Sequence, residues 1–101
     1  MELTSKQRAF LKKQAHSLDP VVRIGKDGLS ENIVKSLLDA IDSRELVKVK
    51  ILQNSEVEKR ETAYELALRS GCELVAIIGR TLIYYKENED KPVISEELRR
   101  I

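Results

Sequence analysis

The sequence predicts an α/β fold: a single small domain in the order α-β-α-β-α-β-β, with a four-stranded mixed sheet and helices mainly on one face. Three observations carry that prediction. Apolar residues recur at helical spacing in three separate stretches, and short β-branched runs follow each of them. The last two of those runs are joined by Gly79-Arg80 alone, a link too short for anything but a hairpin. At 101 residues the chain can bury one core and no second one.

The first helix opens at Thr4-Ser5-Lys6-Gln7, a capping box with Thr4 as N-cap and Gln7 three residues on, and Leu3 just outside it. Leu11, Ala15 and Leu18 form its apolar stripe with Phe10 beside them, while Lys6, Arg8, Lys12 and Lys13 occupy the remaining surface. Asp19-Pro20 ends it, because proline pushes the preceding residue toward an extended conformation. Residues 21–24 are the first strand. The second helix covers residues 32–41, with Ile33, Leu37 and Ile41 in one row and Val34 and Leu38 in the next. In the second strand, residues 46–52, Val47, Val49 and Ile51 alternate with Lys48 and Lys50, so one sheet face is expected to be packed and the other to meet water.

Ser55-Glu56-Val57-Glu58 has the form of a second capping box, opening a third helix. Its buried stripe is read as Ala63, Tyr64, Ala67 and Leu68, and Gly71 stands where a C-terminal glycine belongs. Glu56–Arg60 and Glu65–Arg69 are favourable pairs at i, i+4 spacing. The third strand, residues 74–78, is almost wholly apolar and is expected to be central. Gly79-Arg80 then suits a type II′ turn into the fourth strand, residues 81–85. Right-handed crossovers would make the first three strands parallel and the fourth antiparallel to the third. Residues 1–86 make up the domain, and the polar, acidic residues 87–101 are expected to be a loosely held tail, with a helical turn at residues 96–100.

Function is concentrated in Gly25-Lys26-Asp27-Gly28-Leu29-Ser30, at the first strand-to-helix turn. Two glycines three apart allow a close backbone approach, and Lys26 with the following helix N-terminus favours an anion. On the loop alone two readings stay open: a phosphate-contacting clamp, or a tight turn with Ser30 as helix N-cap. A nucleotide P-loop is excluded, since it needs a longer glycine loop ending in Lys-Ser/Thr, and a dinucleotide fingerprint needs a third glycine. Net charge is only +1, but basic residues dominate up to Gly28, while the helix around Glu56, Glu58, Glu61 and Glu65 and the tail around Glu87, Glu89 and Asp90 are acidic. Cys72 is the only cysteine and His16 the only histidine; neither has ligand spacing, so no catalytic site, metal or cofactor is expected. No apolar run approaches the roughly 20 residues that cross a bilayer, and with a lone cysteine the chain is expected to be cytoplasmic, without a membrane partner.

The ordered motifs Leu18-Asp19-Pro20-Val21-Val22-Arg23-Ile24-Gly25-Lys26-Asp27-Gly28-Leu29-Ser30, Glu45-Leu46-Val47-Lys48-Val49-Lys50, and Ile78-Gly79-Arg80 leading to Tyr84-Tyr85-Lys86 resemble the CRM domain in its stand-alone bacterial YhbY-type form. The resemblance spans residues 3–86. It implies a fold like the C-terminal domain of translation initiation factor three, a GXXG loop like that of KH domains, and RNA binding in precursors of the large ribosomal subunit. Ser30 departs from a more common threonine and Arg23 from a neutral polar residue; both departures suit the same chemistry.

The expected RNA contact comprises Gly25, Lys26, Asp27 and Gly28, with Asp27 shaping the turn. Arg23 adds charge beside the loop; Lys6, Arg8, Lys12 and Lys13 extend the track; Arg80 and Lys86 are weaker members, Arg80 being equally readable as a turn residue facing water. Lys48 and Lys50 read as solvated charge. Phe10 and Tyr64 read as core, and Tyr84 and Tyr85 point to opposite faces, so at most one of them can stack on a base. The expected partner is therefore RNA read through backbone and shape, not DNA, bound by a monomer. The competing reading is a protein-interaction module that docks a basic protein on the acidic third helix, at Glu58, Glu61 and Glu65.

Overall fold

A computed structural model describes residues 2–101. Its elements run α1 (Ser5–Ala15), β1 (Val22–Ile24), α2 (Glu31–Arg44), β2 (Leu46–Ile51), α3 (Lys59–Ser70), β3 (Glu73–Ile78), β4 (Thr81–Tyr85) and a final turn of helix, α4 (Ser95–Leu98). The four strands form one mixed sheet in the order β1-β2-β4-β3. β1 and β2 are parallel, and β4 runs antiparallel to both of its neighbours. The strand directions therefore match expectation. The position of β3 does not: it is an edge strand, and β4 takes the centre. The hairpin Gly79-Arg80 explains the order, because it folds β4 back between β2 and β3. Gly79 has φ 60° and Arg80 is not left-handed, the signs a type II′ turn requires.

Helix starts follow their sequence signals in two cases. Thr4 and Gln7 cap α1 reciprocally, the Thr4 N–H donating to Gln7 Oε1 at 2.9 Å and the Gln7 N–H to Thr4 Oγ1 at 3.1 Å. Ser30 Oγ accepts from the Ile33 N–H at 3.3 Å and caps α2. The third start is displaced. Glu58, not Ser55, caps α3, accepting from the Arg60 and Glu61 N–H groups at 3.3 and 2.6 Å. These contacts hold the Glu58 carboxyl below its ordinary pKa. The turn before Glu58 leaves Glu56 outside the helix, so only the Glu65–Arg69 pair forms, at 3.3 Å.

The phase of α3 also differs from expectation. Thr62, Ala63, Leu66 and Ser70 are buried, whereas Tyr64 is 58% and Leu68 80% exposed. The helix buries the Ser70 hydroxyl because it is satisfied locally, Oγ donating to the Leu66 carbonyl at 2.6 Å. Gly71, with φ 72°, closes the helix as expected.

The core has two parts. α2 and α3 cover one sheet face, packing Leu37, Ile41, Ala63 and Leu66 on Val22, Ile24, Val47, Val49, Leu82 and Tyr84. α1 and α4 cover part of the opposite face, packing Leu11, Ala15 and Leu98 on Leu46, Val75, Ile83 and Tyr85. The two longest helices thus share a face, but the other face is not simply open to water. β4 is apolar on both sides, and its Ile83 and Tyr85 need a cover that α1 supplies. Both tyrosines of β4 are buried, so neither is a stacking platform; Tyr84 Oη donates to the Ala63 carbonyl at 2.7 Å.

One side chain gathers residues 88–95. Glu45, the C-cap of α2 with φ 63°, is wholly buried. Its Oε1 accepts from the N–H groups of Val93, Ile94 and Ser95 at 2.6, 2.7 and 3.0 Å, and its Oε2 from Asn88 at 2.7 Å. Leu98 then enters the α1-side core. The polar composition that suggested a loose tail is what supplies these donors and turns. Burial alone would raise the Glu45 pKa, but the four backbone donors outweigh it and hold the carboxyl at about 2.

Because the folded pKa lies below the unfolded one, Glu45 contributes stability above its ordinary value of 4.5 and loses it as pH falls toward 2. Acidification over that range is expected to release residues 88–98 first, seen as lost hydrogen-exchange protection at the Val93, Ile94 and Ser95 amides. Glu45→Gln is expected to cost about 2 kcal/mol or more in urea melts at pH 7, since an amide cannot accept from all four donors. Protection that is unchanged at pH 3 would contradict this.

Candidate nucleic-acid interface

The glycine loop lies at the carboxyl ends of the parallel strands β1 and β2, the end at which open α/β sheets place ligands. Gly25 to Gly28 form one turn, closed by the Gly28 N–H donating to the Gly25 carbonyl at 3.0 Å. Lys26 and Asp27, at its tip, are exposed. The two glycines serve different purposes. Gly28 has φ 71°, and a Cβ there would meet Val57 Cγ1 at 3.2 Å, so the fold itself demands glycine. Gly25 is not left-handed, and a Cβ there would find only ordinary contacts, the nearest Leu52 Cδ1 at 3.7 Å. The fold therefore does not itself require glycine at position 25.

Two further loops meet the glycine loop at this end. The Leu52 N–H donates to the Ile24 carbonyl at 2.8 Å, and the Ile51 N–H to the Arg80 carbonyl at 2.8 Å. The Arg80 guanidinium donates from Nε to the Ile51 carbonyl at 3.1 Å, and from Nη2 to the Leu52 and Ser55 carbonyls at 2.8 and 3.3 Å. Arg80 is thus a clamp across the β2–α3 connection, and its side chain does not simply point at water. Lys59 Nζ reaches the Gly79 carbonyl at 3.3 Å and brings the start of α3 to the same corner.

The sequence-predicted residues divide by position. Arg23, Gly25, Lys26, Asp27, Gly28 and Arg80 come together at the loop end. Lys6, Lys12 and Lys13 are exposed on α1, which packs over the Leu46–Tyr85 half of the sheet. Arg8 is committed to the fold: its Nη1 donates to the carbonyls of Leu74 and Val75 at 2.6 and 3.2 Å, where β3 shifts register against β4. Lys86 stands apart. It follows Tyr85, which pairs with Leu46, whereas the loop end pairs Lys50 with Thr81, so Lys86 is removed from the loop by a strand length of roughly 15 Å. Lys59, and Lys50, which the sequence reads as solvated charge, are further cations of this corner. Pairing register places Lys50 directly beside Arg23, and the Nζ contact with the Gly79 carbonyl places Lys59.

The acidic third helix is partly engaged in its own structure. Glu58 caps it and Glu65 pairs with Arg69. Neither histidine nor cysteine joins a site: His16 is the exposed C-cap of α1, and Cys72 is buried, which pushes its thiol pKa up.

A four-stranded mixed sheet with a glycine loop at its strand ends defines a small α/β domain. The chain belongs to the CRS1/YhbY (CRM) domain family, whose model matches residues 3–86. It is 41% identical over 92 residues to the probable RNA-binding protein YqeI of Bacillus subtilis, covering 91% of this chain and 96% of that one. It is 32% identical over 91 residues to an RNA-binding protein of Haemophilus influenzae, covering 90% and 92% of the two chains. The solution structure of the Staphylococcus aureus protein SAV1595, described as an RNA-binding candidate, superposes with a TM-score of 0.75 at 41% identity, covering 87% of this chain and 92% of that one.

The two glycines are expected to separate in stability measurements. Gly28→Ala should destabilise the domain by about 1–2 kcal/mol through the left-handed backbone and the Val57 contact. Gly25→Ala should stay within about 0.5 kcal/mol of the parent in the same denaturant melts. Equal losses at both positions would contradict the distinction.

Proposed function

We propose that this domain binds RNA, with ribosomal RNA in precursors of the large ribosomal subunit as its target, and that it assists assembly there as a cytoplasmic monomer. The observation that carries the reading is the contrast at the loop: Gly25 is a glycine the fold does not require, beside an exposed Lys26. Without a side chain at Gly25, a phosphate can reach the loop backbone. Lys26 supplies a point charge and the α2 N-terminus a partial one. Lys6, Lys12 and Lys13 extend the positive surface over α1. The names of the relatives support RNA as the ligand; the ribosomal target rests on the family resemblance.

Recognition here leans on backbone and shape. Both tyrosines of β4 are buried, and the exposed aromatic, Tyr64, stands on α3, away from the loop-side face of the sheet. Binding should therefore depend strongly on salt and weakly on sequence.

A second reading has one observation in its favour. Tyr64 and Leu68 form an exposed apolar pair at i, i+4 on the outer face of α3, beside Glu61 and Glu65. A basic protein could dock there and hold the domain on a particle independently of the loop.

Sedimentation of cell extract at low and high salt separates the two. The parent protein is expected to travel with large-subunit precursors at low salt, and Lys26→Glu or high salt to leave it at the top of the gradient. If Lys26→Glu co-migrates with particles and Leu68→Glu does not, the protein-docking reading replaces the RNA clamp.

A further inference from the structure

The α1 side of the sheet is only half covered. α1 packs on Leu46, Val75, Ile83 and Tyr85, at the end away from the glycine loop. Toward the loop, the pairing register lines up Arg23, Lys50, Thr81 and Ile78 in one row across all four strands. Alternation puts the four side chains on this same face. Val22 and Ile24 flank Arg23 and point into the α2–α3 core, as do Val49 and Ile51 beside Lys50, Leu82 beside Thr81, and Ile77 beside Ile78.

The row has an unusual composition for an uncovered sheet face. Arg23 and Lys50 are exposed, and Ile78, at the far edge, is 52% exposed. The ion pairs among the described residues are Arg69–Glu65 and Arg99–Glu87, so neither Arg23 nor Lys50 is neutralised by a carboxylate. No acidic residue faces outward in this row or in the next, which holds Lys48, Ile83 and Ala76. Lys48 is spent on the fold, its Nζ donating to the Leu18 carbonyl at 3.0 Å. Two free cations side by side repel each other, an arrangement that a bound polyanion would relieve.

We propose that this row is a second RNA-contacting surface, continuous with the glycine loop, along which a single strand of RNA crosses the sheet from β1 to β3. The inference rests on the RNA-binding reading above and adds the direction of the strand. From Gly25 the backbone passes Arg23 and Lys50, which take phosphates. Four strands at ordinary spacing make the row roughly 14 Å long. Thr81 and Ile78 complete it, with Ile78 offering an apolar surface to a ribose or base face at the edge strand. β3, as the edge strand, puts Ile78 at the border of the sheet.

The test uses the full chain and a fluorescently labelled RNA hairpin carrying a single-stranded arm, with affinity read by anisotropy over a salt series. Lys50→Gln is expected to weaken binding roughly fivefold at physiological salt and to lower the salt slope by about 0.7–0.9, the loss of one phosphate contact. Ile78→Ser should weaken binding with the slope unchanged. Both effects should disappear when the single-stranded arm is removed from the RNA. Thermal melts of each variant, matching the parent, exclude unfolding as the cause. If Lys26→Glu abolishes binding while Lys50→Gln and Ile78→Ser bind like the parent, the glycine-loop reading stands and the sheet surface is overturned. If the parent itself does not bind the hairpin, the RNA-binding reading fails, and this inference with it.

Discussion

The guanidinium of Arg80 holds the β3–β4 hairpin to the β2–α3 connection at one corner, and a backbone hydrogen bond from Leu52 to Ile24 ties the glycine loop to the same corner. The carbonyls of Ile51, Leu52 and Ser55 leave the β2–α3 connection without strand partners for their free lone pairs, and one planar fork of N–H donors satisfies them together. The backbone carbonyl of Arg80 closes the other side by accepting from Ile51, while Leu52 donates to Ile24 immediately before the glycine loop. Every element of the candidate interface hangs from this knot: β1 and its loop, the turn that carries Val57 against Gly28, and the hairpin that puts β4 in the centre. A flexible lysine at this position would supply a charge but not the planar geometry. The loop can be small and exposed because what positions it is rigid.

The opposite end of the sheet is organised by a group of the other sign. Glu45 ends α2 in a left-handed conformation, receives Lys86 on its carbonyl, and gathers residues 88–95 on its carboxylate. Anchoring four backbone donors on one buried charge fixes the segment that seats Leu98 under α1. The domain thus has a cationic clamp at the loop end of the sheet and an anionic clamp at the opposite end.

Local signals were legible in the sequence and pairing was not. The Thr4–Gln7 box, the Ser30 cap, the Gly71 C-cap and the Gly79 turn each depend on residues within a few positions, and each stands where its chemistry placed it. The failures share a cause. Whether β3 is central depends on which strand β4 joins, and an apolar run reads the same at an edge once a helix covers it. The α3 stripe could run through Tyr64 and Leu68 or through Thr62, Leu66 and Ser70; hydropathy favours the first, and the Ser70 hydroxyl bond makes the second possible. Glu45 looked like part of a polar turn because its four partners lie more than forty residues away. At the candidate site, the loop and Arg23 were legible as chemistry. Arg8 and Arg80 were read as free cations because carbonyls that need donors leave no mark in a sequence.

Backbone amide chemical-shift mapping during titration with an RNA hairpin tests the central claim most directly, since it reports every residue of the folded domain at once. The account predicts the largest, saturating shifts at residues 23–30, with smaller ones at Lys50 and Thr81 and none along Tyr64 to Leu68. Shifts confined to the outer face of α3, or scattered evenly over the lysines without the glycine loop, would contradict it.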